Sequence, residues 1–231
     1  MSIQFDPKAA MIGATAVNLP GTSAPRSGGG ISYRTHAKRA LDITLVLLAA
    51  PIVLPLVALL SLLVALDGGS AFYSQQRLGL GGRRFRLWKL RSMVMNADAA
   101  LEAHLAADPA ARAEWNRDQK LHNDPRITPL GKFIRRTSLD ELPQLWNVLT
   151  GDMSLVGPRP MMPEQRSLYP GQSYFRLRPG LTGSWQVSDR NQSSFAARAE
   201  FDLGYDRALS LATDIAIICA TFAVVLRATG R

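Results

Sequence analysis

The stretch Arg135-Arg136-Thr137-Ser138-Leu139-Asp140-Glu141-Leu142-Pro143 sets two adjacent acids a few residues after two arginines. That combination suits phosphate chemistry. A carboxylate beside guanidinium groups stays ionised, can act as a nucleophile or hold a hard cation, and the arginines attract an anionic substrate. A purely structural reading competes with it. Ser138 and Glu141 fit an S-x-x-E capping box, and acids in a first turn complement the helix dipole. Pro143 conflicts with that register, because its missing N–H would fall inside the helix. A helix starting at Asp140 instead puts Pro143 in the first turn, where it is tolerated. Spacing alone favours the cap and leaves the active-site reading open.

The elements that must position these residues lie between 70 and 208. Residues 71–75 and 85–90 read as short strands, joined by a Gly79-Leu80-Gly81-Gly82 turn. Residues 96–121 are helical, restarted at Asp108-Pro109 by a capping residue and a proline at the first position. Asp124-Pro125-Arg126 is a turn. Leu142, Leu145, Trp146 and Leu149 recur at helical spacing, and Gly151 closes that helix. Gly157-Pro158-Arg159-Pro160 suits neither a helix nor a strand interior. The alternation of short strands and helices predicts a compact α/β (α+β) catalytic domain with surface amphipathic helices.

Upstream, Ile43 to Leu66 is a run of 24 residues without a charge. As a straight helix it would extend about 36 Å, against a bilayer core of roughly 30 Å. Pro51 and Pro55 interrupt it and would leave arms of 8 and 11 residues, each too short to cross. Basic residues flank both sides, Arg34, Lys38 and Arg39 before and Arg77, Arg83, Arg84, Arg86, Lys89 and Arg91 after. Positive charge stays cytoplasmic. A proline-broken re-entrant helix at 35–69 satisfies both clusters; a full span and a buried core helix are the alternatives. Carbonyls freed by the prolines need partners such as Ser61, Thr44 or water. Residues 1–34, rich in glycine, proline and serine, read as a disordered tail without the apolar core of a signal peptide. Within the 70–231 domain, the apolar stretch 209–226 reads as a helix on the membrane surface or packed on the domain, with a second span as runner-up.

Composition narrows the classes. The 231 residues carry 27 Lys+Arg against 18 Asp+Glu, a net charge of +9, so an anionic partner is expected. An apolar share of 47% excludes general disorder. A single cysteine, Cys219, excludes a disulfide framework and a multi-cysteine zinc site, and His36, His104 and His122 lack ligand spacing. Nucleic acid is not the expected partner, because Trp88, Trp115, Trp146 and Trp185 are not interleaved with basic runs as stacking platforms require.

The text from Ser138 to Leu149 (SLDELPQLWNVL), followed by Gly151 to Pro160 (GDMSLVGPRP), resembles the signature of the bacterial sugar transferases, the monotopic phosphoglycosyl transferases that begin glycan assembly. Lys89-Leu90-Arg91-Ser92-Met93 is similar to that family's K-F-R-T-M box, with Leu for Phe. Arg178-Pro179-Gly180-Leu181-Thr182-Gly183-Ser184-Trp185-Gln186-Val187 is similar to its P-G-(I/L)-T-G…Q-V box. The resemblance covers about Lys38 to Thr229. It implies transfer of sugar 1-phosphate from a UDP-hexose to undecaprenyl phosphate, releasing UMP, as the first step of exopolysaccharide synthesis. It implies Asp140 as the nucleophile that forms an aspartyl phospho-sugar, and Glu141 as holder of Mg²⁺. Arg135 and Arg159 match phosphate-binding arginines; Lys89, Arg91 and Asp202 match motif positions of less defined role. It also implies a re-entrant helix broken near Pro51 and a seat on the cytoplasmic face of the inner membrane. Membrane lipids, a homodimer and downstream glycosyltransferases are the further partners expected. Asp189 departs from the glycine usual in that piece. The short chain leaves no room for the extra helices of the polytopic branch and looks most like the galactosyl-phosphate transferases; a glucosyl-phosphate transferase and a noncatalytic scaffold are the alternatives.

Overall fold

The computed structural model describes residues 33–118, 121–188 and 194–226. The tail up to residue 32 and Asp189 lie outside them. Helical structure begins with a short turn at Tyr33–Ala37 and runs into α1 (Lys38–Ala65). Tyr33 and Arg34 therefore belong to the helical element, not to the tail. Among the described residues, the Tyr33–Ala65 segment is the one helix long and apolar enough to cross a membrane.

Two features of α1 differ from expectation. It contains Pro51 and Pro55 without leaving helical conformation, so the helical run continues through both prolines. Each proline deletes one rung of the hydrogen-bond ladder, and the rungs on either side carry the helix through. Ser61 does not partner the freed carbonyls either: its Oγ is buried without a hydrogen bond.

Both ends of α1 pack on the same body. Near its start, Val46 joins Phe85, Leu87, Val148 and Met153 in one buried cluster. Near its end, Leu60 and Val64 join Leu90 and Ile134 in another. Full burial of such side chains contributes about 1.5–3 kcal/mol each. No residue from 47 to 59 is buried, and Ile52 is 75% exposed. Polar groups fix the first turns of α1. Asp42 accepts from Ser154 Oγ (3.1 Å) and the Leu155 N–H (3.0 Å). Arg39 donates to the carbonyls of Val148 and Leu149. Asp214 accepts from Tyr33 and Lys38.

The body begins with a hairpin. Strands β1 (Phe72–Leu78) and β2 (Arg84–Leu90) pair antiparallel from Phe72↔Leu90 to Leu78↔Arg84. Their turn uses Gly81 (φ 66°) and Gly82 (φ 79°), a conformation that side chains resist. Helices α2 (Ala97–Ala107) and α3 (Pro109–Asp118) form a satellite around Leu101, Leu105 and Ala111, with Asp108 capping α3 through the N–H of Ala110 at 2.8 Å. Helix α4 (Pro129–Arg136) starts on a Thr128 cap that no sequence motif had marked. A 3₁₀ turn at Leu139–Glu141 leads to α5 (Gln144–Thr150), closed by Gly151 at φ 88°.

A second, parallel pair joins β3 (Ser154–Val156) to β4 (Gly180–Thr182), with Ser154 opposite Gly180. The backbones touch here: a Cβ on Gly180 would lie 2.1 Å from the Gly157 nitrogen. That close crossing seats the Gly157–Pro160 loop beside β4. Helices α6 (Ser184–Val187), α7 (Arg198–Ala208) and α8 (Leu211–Leu226) complete the domain. Ile217 of α8 packs with Val156, Leu177 and Tyr205, while Leu211, Ile215 and Phe222 remain exposed. The mixed α/β expectation holds.

Candidate active site

The acid pair sits on the 3₁₀ turn between α4 and α5. Ser138, immediately before it, adopts a left-handed conformation (φ 58°, ψ 18°) and makes no capping bond. The capping-box reading is thereby corrected. Pro143, not Ser138, occupies the N-cap position of α5, so the acids stand outside that helix. A non-glycine residue at positive φ is strained, and the strain falls where the chain turns to present Asp140.

Lys89 comes to meet the pair from β2. Its Nζ lies 2.8 Å from Glu141 Oε1 and 3.4 Å from Asp140 Oδ2. Asp140 is buried, and burial pushes its carboxyl above the ordinary range. Glu141 pushes the same way; Lys89 and, more weakly, Arg135 pull it back. Burial thus outweighs the pull of Lys89 and Arg135 in setting the direction. Arg136 is exposed and takes no part.

Lys89 and Glu141 line a cavity of about 170 Å³, together with Gln144, Arg77, Arg159 and Arg198. Three guanidinium groups converge there from β1, the Gly157–Pro160 loop and α7. Burial lowers the affinity of Arg77 and Arg198 for their protons, and Arg159 adds like-charge repulsion; Arg198 is pushed down to about 10. Arg198 is also flanked by Trp185 at 4.2 Å and Phe195 at 4.7 Å. Nε of Arg77, Nε of Arg198 and Oε1 of Gln186 are buried without hydrogen-bond partners. Gln186 lines the same cavity and donates its amide to the Leu181 carbonyl at 3.0 Å. Crowded cations with unmet donors suit an anion rich in acceptor oxygens, and the unmet Gln186 oxygen suits a hydroxyl or N–H.

Lys89, Asp140, Glu141 and Arg159 are therefore brought together, with Arg135 acting through its charge. Two expected residues lie elsewhere. Arg91 is engaged at the end of α1, where it bonds Asp67 and the carbonyls of Val64, Ser70 and Met93. Asp202 lies beside Arg198 and accepts from the Tyr169 hydroxyl at 2.7 Å; burial pushes it up to about 6. Arg77 and Arg198 were not singled out from the sequence, and Gln144 and Gln186 appeared only within longer motifs. No local pattern marks the two arginines as partners, because the fold assembles them from distant segments.

A known family model, bacterial sugar transferase, matches residues 33–228. The chain belongs to the bacterial sugar transferase family. It is 50% identical over 195 residues to a UDP-galactose-lipid carrier transferase of Erwinia amylovora and, to the same extent, to an undecaprenyl-phosphate galactose phosphotransferase of Salmonella typhimurium. Each match covers 84% of this chain and 41% of the relative, so the chain spans about two fifths of those proteins. It is 43% identical over 212 residues to the exopolysaccharide production protein ExoY of Sinorhizobium fredii, covering 90% of this chain and 92% of that one. Within this bacterial sugar transferase, the cavity gathers three arginines beside the Lys89-bridged acid pair.

Proposed function

We propose that this chain transfers sugar 1-phosphate from a UDP-hexose, UDP-galactose in the first instance, to undecaprenyl phosphate, releasing UMP as the first step of exopolysaccharide synthesis. The observation that carries this reading is the Lys89-bridged Asp140–Glu141 pair beside a cavity of three guanidinium groups, two of which, Arg77 and Arg198, have a buried donor without a partner. The names of the relatives supply the sugar and the lipid.

In the reaction, a diphosphate binds against Arg77, Arg159 and Arg198. A carboxylate oxygen of Asp140 attacks the phosphorus that bears the sugar. The bond from that phosphorus to the bridging oxygen breaks, and UMP leaves with the electron pair. The lipid phosphate then attacks the same phosphorus, the Asp140–phosphorus bond breaks, and the carboxylate is regenerated. Splitting one transfer between two anions into two steps spares either anion from approaching the other inside the cavity. Lys89 offsets the negative charge of the acid pair as the substrate arrives.

The donor set beside the cavity suits Mg²⁺. It consists of hard carboxylate oxygens, and among the described residues no group of three or more His, Cys, Asp or Glu side chains could form a cage. Mg²⁺ takes one or two carboxylates and fills its other positions with phosphate and water. Glu141 would hold it, and the ion would supply neutralisation of the diphosphate.

We place the chain on the cytoplasmic face of the inner membrane because basic residues flank α1 on both sides, and the packing of α1 supports a re-entrant seat. Its two ends pack on one body while its apolar middle stays uncovered, as a re-entrant element requires.

The test is covalent labelling of nanodisc-held protein with UDP-galactose radiolabelled on the phosphate next to the sugar, with Mg²⁺ and no lipid acceptor. A labelled band on a denaturing gel is expected, and Asp140→Asn abolishes it. A band that survives Asp140→Asn refutes the mechanism. Labelling by UDP-glucose in place of UDP-galactose would reassign the sugar, and silence with both would favour a scaffold.

A further inference from the structure

Strand β2 carries Lys89, and its sheet has two strands. Pairing with β1 occupies one edge of β2. Backbone groups alternate between the two edges of a strand, so those of Arg86 and Trp88 face the edge that has no strand beside it among the described residues. Unpaired N–H and C=O groups on such an edge need partners.

Asn147 supplies them. Its Nδ2 donates to the Arg86 carbonyl at 2.7 Å, and its Oδ1 accepts from the Trp88 N–H at 3.1 Å. A residue in a parallel neighbouring strand makes the same pair of bonds, to the carbonyl of one residue and the N–H two positions on. One side chain thus reproduces one rung of a parallel strand. Asn147 is 2% exposed, and its own backbone belongs to α5, which follows the acid pair by three residues. Its carbonyl accepts from the Met153 N–H at 3.0 Å, so the main chain at this point is also tied. The two bonds join the strand that carries Lys89 to the helix that follows Asp140 and Glu141. Val148 next to Asn147, and Leu87 between its two partners, close the junction in one apolar cluster.

We propose that Asn147 is a positioning residue for the reaction: its carboxamide takes the place of a missing strand on the open edge of β2 and so holds Lys89 against the Asp140–Glu141 pair. The proposal rests on the role given to Lys89 and Asp140 above. Asn147 touches neither the acids nor the lysine ammonium. It acts through the backbone at Trp88, one residue before Lys89.

The experiment uses the full chain in nanodiscs with Asn147→Ala, Asn147→Asp, Lys89→Met and the Asn147→Ala/Lys89→Met pair. The first readout is independent of turnover: brief acetylation of lysine amines, with the modification of Lys89 quantified by mass spectrometry. Wild-type Lys89, paired to Glu141, is expected to react slowly, and Asn147→Ala to speed it several-fold. The second readout is UMP release. Asn147→Ala is expected to lower kcat by about 100-fold, the size of a misplacement near 1 Å. KM for the UDP-sugar should stay unchanged. On the Lys89→Met background, Asn147→Ala should add almost nothing, because the two residues act as one unit. Asn147→Asp retains the acceptor for Trp88, loses the donor to Arg86 and should move both readouts the same way; it decides the matter where the alanine variant does not fold. Unchanged Lys89 reactivity, or fully additive losses in the double variant, would overturn the proposal. Should wild-type protein release no UMP from any UDP-sugar, the functional reading fails, while Lys89 reactivity still decides the role of Asn147.

Discussion

Asp202 shows how a single buried residue links the cavity to pH. Its carboxyl is pushed up to about 6 by burial, against the pull of the Tyr169 hydroxyl and of Arg198. A folded-state value above the unfolded one means that the folded protein binds the proton more tightly. The stability this group provides is therefore full below about pH 4 and is lost as pH rises through about 6. Asp202→Asn keeps an oxygen for Tyr169 and removes the titration. The stability of the variant relative to wild type should rise by about 2 kcal/mol between pH 4 and pH 7, because the folded and unfolded carboxyls differ in proton affinity by roughly a hundredfold. Melting of both proteins across that range checks this, and a difference that stays flat with pH would refute it. Asp140 is also buried and raised, but its surroundings differ: Lys89 bridges it to Glu141, and Arg135 adds its charge. Two buried aspartates thus have different surroundings, one among cations beside a cavity, the other against a tyrosine hydroxyl.

At the scale of elements, Arg91 decides how α1 ends. Its guanidinium bonds both oxygens of Asp67 and the carbonyls of Val64, Ser70 and Met93, tying the last turn of the helix to the strand that follows. Arg91→Ala should lower the melting temperature, because it leaves the part-buried carbonyls of Val64 and Met93 without a donor. Arg91→Lys should restore little, since a point charge cannot match a fork of donors. The folded fraction should keep its KM for the UDP-sugar. A raised KM with unchanged melting would return Arg91 to the phosphate-binding role that its motif suggested. This residue also shows what the sequence could convey. The hairpin at 72–90 was legible because apolar residues bracket a glycine turn, and the helix breaks at Asp108-Pro109 and Gly151 because capping chemistry is local. The acid pair was legible through the length of its motif. Three-residue strands such as β3 and β4 carry no period, so their parallel pairing was not. Ser138 misled because S-x-x-E describes a cap only when the serine backbone is extended, and here it is left-handed. Arg77 and Arg198 could not be joined from sequence, since chain folding alone brings them to one cavity.

For the molecule as a whole, the deciding question is the side of the bilayer on which each end of α1 lies. A helix of 28 residues is about 42 Å long at 1.5 Å per residue, enough to cross a bilayer core. Length alone therefore permits a full span. The packing argues otherwise. Val46 near one end and Leu60 and Val64 near the other are buried against the same domain, and β2 contributes to both clusters through Leu87 and Leu90. A polar domain cannot occupy both faces of a membrane, so a true span would have to release one of these clusters, exposing apolar surface and the buried Asp42 or Arg91 network with it. The uncovered stretch from 47 to 59 would then lie in the lipid with both helix ends on one side, the axis bending at Pro51 and Pro55, where the hydrogen-bond ladder loses its rungs. Single cysteines at Thr35 and Ser70, both exposed and on opposite flanks of α1, test this in a Cys219→Ser background, since the native cysteine is itself exposed. In intact spheroplasts an impermeant maleimide should label neither position, and in inverted vesicles it should label both. Labelling of one position in spheroplasts and the other in inverted vesicles would establish a span and require the domain contacts at one end of α1 to open in the membrane.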